Sequence, residues 1–138
     1  MTGFDIATEA RTWLGTRFHH QGRLKGVGCD CAGLVVGVAQ ALGLSEFDKT
    51  DYSRLPDGDM LRTVCDENMH CIAWTDIAVG DVLLFKFDQF PQHLAIVGDH
   101  PLGGLSIIHA YAPSHKVVEV RLDDVWKQRV VAVYRLME

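Results

Sequence analysis

The spacing of apolar side chains changes along this chain, from a helical period before residue 70 to a strand-like one after it. Phe4, Ile6, Ala7, Ala10, Trp13 and Leu14 recur at helical spacing, which predicts a helix over 4–14 that Gly15 stops. Leu34, Val35, Val38, Ala41 and Leu42 draw a second stripe over 31–42, with Asp30 at the N-cap position and Gly43 at the C-terminal stop. Met60, Leu61, Val64 and Met69 share one face of a third helix predicted over 57–69. Between the first two helices, GTRFHHQGRLKGVG (15–28) is polar and glycine-rich and predicts a loop.

Beyond residue 70, DVLLFKF (81–87), HLAIVGD (93–99), LSIIHAY (105–111), KVVEVRL (116–122) and RVVAVYRL (129–136) are short runs rich in β-branched and aromatic residues. Turn-forming residues separate them at 88–92, 100–104 and 112–114, and a short helical turn fits at 123–127. Helices first and a meander second predict an α+β fold. Its N-terminal helices pack on one face of a mostly antiparallel, five- to six-stranded sheet.

Composition narrows the function classes. The 138 residues fit one domain, 1–138, which buries roughly 68% of its unfolded surface and needs no disulfide or metal to fold. Lys and Arg number 13 against 18 Asp and Glu, a net charge of −5 with no basic stripe, which sets nucleic-acid binding aside. Asp5 and Glu9 stand where a secretory leader needs a basic start and an apolar run, so the chain is expected to be made in the cytoplasm without a signal peptide. The longest apolar stretch, within 32–44, is broken by Gly37, Gln40 and Gly43 and is too short for a membrane span. Cys29, Cys31, Cys65 and Cys71 do not make a disulfide scaffold in a chain this long, and neither neighbouring pair has the usual zinc-ligand spacing.

Candidate chemistry concentrates where the second helix begins. A helix N-terminus carries unpaired N–H groups and the positive end of the macrodipole, which ease ionisation of a thiol and can hold an oxyanion. Cys31 occupies the first turn, directly after Asp30, whereas Cys29 falls in the preceding loop and is expected to be dispensable. Ala32 and Gly33 are small enough to let a substrate backbone approach the sulfur. His93 opens one predicted strand and His109 ends the next. A hairpin centred near residue 101 sets the two opposite each other, where one imidazole can orient the other. Nucleophile, base and orienting group are the parts of a cysteine–histidine triad. The same residues also allow a packed core cysteine, core histidines, or a two-histidine metal site completed by Cys31 or an acid.

GCDCAGLV, HLAIVGD and IIHAY, in that order, resemble the motifs of the NlpC/P60 cysteine peptidases, bacterial and phage enzymes that cut peptidoglycan stem peptides. The likeness extends over nearly the whole chain, from WLGTRFHHQG through DCAGLV and VGDVLLF to the two histidine strands. It implies a papain-like α+β fold in which Cys31 is the nucleophile, His93 the general base and His109 the group that holds the base, with no metal and no cofactor. The implied substrate is a stem peptide, cut between γ-D-glutamyl and a diamino acid, with the Cys31 N–H in the oxyanion hole and Asp30 beside it. Phe18 stands where the family often has tyrosine, so the ring is kept and the hydroxyl lost, leaving His19, His20 or Gln21 as polar groups toward substrate. KGVGCDCAGLV and DYSRLPDG look closest to the phage-tail-associated branch. That likeness implies tail-tip or baseplate proteins as partners, a place in a virion or tail-like particle, and action on the cell wall. A structural tail-tip module with a weakened site and a peptidoglycan amidase on the same fold are the rival readings.

Overall fold

The computed structural model describes residues 1–54 and 58–136. Its first helix, α1 (Gly3–Arg11), starts where the Thr2 N–H donates to Asp5 Oδ2 at 2.7 Å, and it buries Ile6, Ala7 and Ala10. Trp13, just past its end, packs over α2 (Cys31–Ala41), and Gly37 of α2 leaves room for the indole: a Cβ there would lie 2.2 Å from the ring. The first turn of α2 is closed by Asp30, whose Oδ1 accepts the Gly33 N–H at 2.8 Å. A third helix, α3 (Met60–Asn68), follows; the part of its predicted start at Asp57 lies outside the described residues.

The segment 15–28 is not all loop. It folds back on itself as a short hairpin, β1 (Arg23–Leu24) with β2 (Gly28–Cys29), around Gly26 in the left-handed region at φ 79°. Cys29 therefore lies in a buried strand, with no exposed surface, and its expected place in a loop is corrected.

The second half gives β3 (His70–Ile72), β4 (Val82–Lys86), β5 (Pro91–Asp99), β6 (Leu105–Tyr111), β7 (Lys116–Arg121), α4 (Asp124–Arg129) and β8 (Val130–Arg135). The strands form an antiparallel six-stranded sheet in the order β3-β8-β4-β5-β6-β7. Leu94 and Ile96 of β5 turn to one face and join Ile6, Leu34 and Val38 beneath α1 and α2. Ala95 and Val97 turn to the other and join Leu83, Phe85, Ile107 and Leu122. The expectation that only one face would be covered is thus incomplete. Trp126 of α4 packs against the second cluster, and burial on both faces is why 82–85 reads as an unbroken apolar run.

Two local departures bear on the site. β5 starts at Pro91 rather than His93, and a register irregularity opposite Phe85 and Lys86 leaves Gln92 as an extra residue in the strand. The β5–β6 ladder sets Ile96 opposite Ile108 and Asp99 opposite Leu105, so the hairpin is centred on residue 102. His93 and His109 are consequently diagonal neighbours rather than a facing pair. The error spans two residues along β6, and because side chains alternate with period two, both imidazoles stay on one face.

Gly33 also departs from its expected use. A Cβ built on it would lie 2.0 Å from the carbonyl oxygen of Gly22, so segment 15–28 already occupies the space assigned to substrate. Gly33→Ala is expected to lower stability by about 2 kcal/mol, even though alanine is intrinsically the better helix residue by about 1 kcal/mol. Urea unfolding measures this, and an unchanged or raised midpoint would contradict the close approach.

Candidate active site

Three segments meet on one carboxylate at the start of α2. Asp30 is 4% exposed, and its oxygens accept from four donors. Oδ1 takes the Gly33 N–H at 2.8 Å and Arg23 Nη1 at 3.0 Å, while Oδ2 takes the Gln21 N–H at 2.8 Å and the Tyr52 hydroxyl. Arg23 continues outward to Asp48 Oδ1 at 2.8 Å and the Lys49 carbonyl at 2.7 Å, and Gln21 Nε2 holds the Tyr52 carbonyl at 2.7 Å. Gln21 adopts φ 62° to make this clasp. Segment 45–54 is thereby strapped across the helix tip. The Asp30 carboxylate, the Gln21 N–H and Gln21 Nε2 are engaged in holding the architecture together.

Cys31 follows the cap. Its sulfur accepts the backbone N–H of Leu94, the residue after His93, and that of Ala32. Burial nevertheless pushes the thiol up to about 12, and the negative charge of Asp30 adds to the rise. Removal from water and the adjacent carboxylate thus oppose the easier ionisation expected from the helix N-terminus. Cys29 is likewise pushed up to about 12 by burial and by Asp30.

Across the sheet, His93 Nε2 and His109 Nδ1 share a hydrogen bond of 2.7 Å. His93 is 4% exposed and sits among Phe85, Phe87, Tyr111 and Trp126, with ring centroids 5.4 to 6.0 Å away. Burial holds its pKa well below the ordinary 6.5, helped by His109 and the Arg129 guanidinium. Burial also brings His109 down to about 4. Both imidazoles are therefore neutral near pH 7. No hydrogen bond joins the Cys31 sulfur to either ring; the contact to this strand runs through the Leu94 N–H. Contacts between a nucleophile and its base are often long in the resting state and tighten on substrate binding.

Cys31 borders a cavity of about 220 Å³ enclosed by α2, α3 and the strap, with a floor of Val35, Ala39, Leu61, Val64 and Met69. Phe18 and His20 line it on the Cys31 side, and His93 does not. His20 stands edge-on to Tyr52 at 5.4 Å, whereas His19 turns its Nδ1 to the His20 carbonyl at 3.0 Å. Of the three residues considered as polar replacements near Phe18, His20 alone borders this space. Among the described residues, no three His, Cys, Asp or Glu side chains gather as a metal cage would require, and all four cysteines are free thiols. No helix among them is long and apolar enough to cross a membrane.

The sequence model of the NlpC/P60 family matches residues 15–135. The chain belongs to the NlpC/P60 family. Among solved structures, an NlpC/P60 family protein from Bacillus cereus ATCC 10987 is similar with a TM-score of 0.73 at 18% identity, over 100% of this chain and 41% of its own. A similar-to-lipoprotein NLP/P60 family protein from Staphylococcus aureus subsp. aureus Mu50 gives 0.67 at 18%, over 99% of this chain and 41% of its own. The NlpC/p60 domain of peptidoglycan hydrolase SagA gives 0.62 at 23%, over 97% of this chain and 98% of that domain. The chain thus spans about two-fifths of the first two proteins and nearly the whole of the SagA domain. No curated protein matches it. The α+β architecture predicted from the sequence is the fold of these NlpC/P60 structures.

Within this NlpC/P60 chain, Arg23, Tyr52 and Trp126 are site residues that the sequence reading passed over. Each acts on another side chain rather than through a motif, and a single sequence carries no signal of that kind.

Tyr52→Phe leaves Asp30 one donor short and is expected to cost about 2 kcal/mol of stability, the worth of a hydrogen bond to a buried charge, read by thermal or urea unfolding. An unchanged midpoint would mean the strap is not held there. A second expectation concerns pH. The unfolded imidazole titrates near 6.5 and folded His109 near 4, so between those values the unfolded chain binds the extra proton. The share of stability linked to His109 is therefore full above pH 6.5 and falls by about 3 kcal/mol as the pH drops from 7 to 4, and His93, also held low, adds a loss of its own. His109→Gln should flatten that part of the profile; a wild-type-like slope in the variant would refute the assignment.

Proposed function

We propose that this chain is a cell-wall cysteine peptidase that hydrolyses peptidoglycan stem peptides. Cys31 attacks the carbonyl of the γ-D-glutamyl-to-diamino-acid bond, and His93 takes the thiol proton on Nδ1 and returns it to the leaving amine. His109 holds the His93 ring, the Cys31 N–H helps bind the oxyanion, and water releases the thioester. The observation that carries this reading is the 2.7 Å bond between His93 Nε2 and His109 Nδ1, which leaves Nδ1 of His93 unengaged on a strand whose next N–H reaches the Cys31 sulfur. Membership in the NlpC/P60 family and the fold likeness to a domain described as part of a peptidoglycan hydrolase support it. In this reading the cavity beside Phe18 and His20 receives substrate, with His20 supplying the polar contact that Phe18 lacks.

The proposed setting is a phage tail or tail-like particle with tail-tip or baseplate partners, where the enzyme opens the wall locally. Its support is the resemblance of KGVGCDCAGLV and DYSRLPDG to that branch. A second reading, a structural module with a weakened site, is favoured by the raised Cys31 thiol and by the lack of a direct bond from Cys31 to His93.

Purified peptidoglycan treated with wild type, Cys31→Ala, His93→Ala and Cys29→Ala, with fragments identified by mass spectrometry, decides between them. Loss of Cys31 or His93 is expected to lower the rate at least about a hundredfold. Cys29→Ala should retain activity while losing about 1 kcal/mol of stability, because the residue is packed in the core. Equal loss in Cys29→Ala and Cys31→Ala, or inhibition by a chelator, would overturn the assignment. Fragments released at the sugar–peptide amide would make the enzyme an amidase. A wild type inactive on several wall chemistries would support the structural module.

A further inference from the structure

One fully enclosed nitrogen of the histidine pair, Nε2 of His109, lacks a hydrogen-bonding partner. His109 is fully buried and Nδ1 is engaged with His93, yet Nε2 has no hydrogen bond and is enclosed. The single proton between the rings admits two arrangements. In one, His93 donates from Nε2, so its Nδ1 is bare and His109 carries its proton on Nε2. In the other, His109 donates from Nδ1, so His93 is protonated on Nδ1 and cannot act as a base there. The arrangement is set by which form of His109 Nε2 its surroundings tolerate, an N–H or a bare lone pair.

Those surroundings are aromatic. Tyr111 lies nearly parallel to His109, 12° between planes with centroids 5.1 Å apart. Trp126 is perpendicular to His109, at 87° and 5.1 Å, and lies 5.3 Å from Tyr111. Being equally near both rings, the indole spans the side of the two-ring stack instead of capping it, and it meets the ring edge of His109. The Trp126 backbone N–H is capped by Asp123 Oδ1 at 3.0 Å at the start of α4, and the Arg129 guanidinium lies 4.8 Å from the indole centroid. An aromatic face is electron-rich, so it attracts an N–H and repels a lone pair.

We propose that Trp126 is a positioning residue whose indole face receives the His109 Nε2–H and so selects the tautomer that leaves Nδ1 of His93 free to act as a base. The proposal rests on the reading of His93 as the base, but its physical content is the protonation pattern of the pair. Phe85 and Phe87 lie against His93 instead, and Tyr111, stacked nearly parallel on His109, turns its face to the plane of that ring and not to an N–H in the plane.

The full chain labelled with ¹⁵N, studied at neutral pH by long-range ¹H–¹⁵N correlation of the imidazoles, reports each tautomer directly. Wild type is expected to carry the proton on Nε2 of both His93 and His109. Trp126→Phe keeps an aromatic face and should keep that pattern. Trp126→Leu should move part of the His109 population to the Nδ1–H form and lower kcat on peptidoglycan fragments about fivefold, with KM unchanged. A wild-type His109 protonated on Nδ1, or a Trp126→Leu variant with the wild-type pattern, would overturn the proposal. If the tautomers are as stated and wild type cleaves nothing, the catalytic reading fails while the role of Trp126 stands.

Discussion

The buried carboxylate of Asp30 is the constraint on which the helix tip depends. Taking a carboxylate out of water costs several kcal/mol unless its lone pairs are used, and here all are, by donors from three separate segments. Segment 15–28 supplies the Gln21 N–H and Arg23, α2 supplies the Gly33 N–H, and the strap supplies Tyr52. None of these can withdraw without stranding a charge. The first turn of α2, and Cys31 with it, is therefore held as rigidly as the core beneath it. The same charge lies next to the thiol and raises its pKa, so the anchor that places the proposed nucleophile also opposes its ionisation.

A second constraint is the alternation of side chains across the sheet. Leu94 and Ile96 belong to the core under the helices, which commits His93, one position earlier, to the opposite face. There it shares a dry aromatic box with His109. A slip of two residues between β5 and β6 would preserve this arrangement, whereas a slip of one would send one imidazole under the helices. The sulfur and the histidine pair approach each other around the strand backbone at Leu94, and the extra residue at Gln92 bends β5 just before that point.

This geometry explains which parts were legible in the sequence. The helix at 31–41, the strand at 105–111 and the sharing of a face by His93 and His109 follow from periodicity, a local property that tertiary contacts left intact. β3 and the β1–β2 hairpin were missed because strands of two or three residues are too short to show a period, and they pair only because distant chain brings them together. Gly33 was read as space for a substrate, but the space belongs to Gly22, which no local pattern encodes. The ionisation of the thiol is only half legible for a related reason. The helix N-terminus is visible in sequence, but the tertiary packing that opposes it is not.

The consequence for chemistry follows from the two neutral partners. With burial pushing the thiol up and holding the imidazole low, moving the proton from Cys31 to His93 at rest is uphill. A standing thiolate–imidazolium pair is then disfavoured. In the proposed reaction the proton must leave as the carbon–sulfur bond forms, when the negative charge passes to the carbonyl oxygen instead of remaining on sulfur. The Cys31 N–H at the start of α2 would then face that developing charge, so the main work of the helix start shifts from activating the proposed nucleophile to stabilising the oxyanion. On this account a neutral resting pair is compatible with catalysis, and substrate binding, rather than the fold alone, triggers the proton transfer.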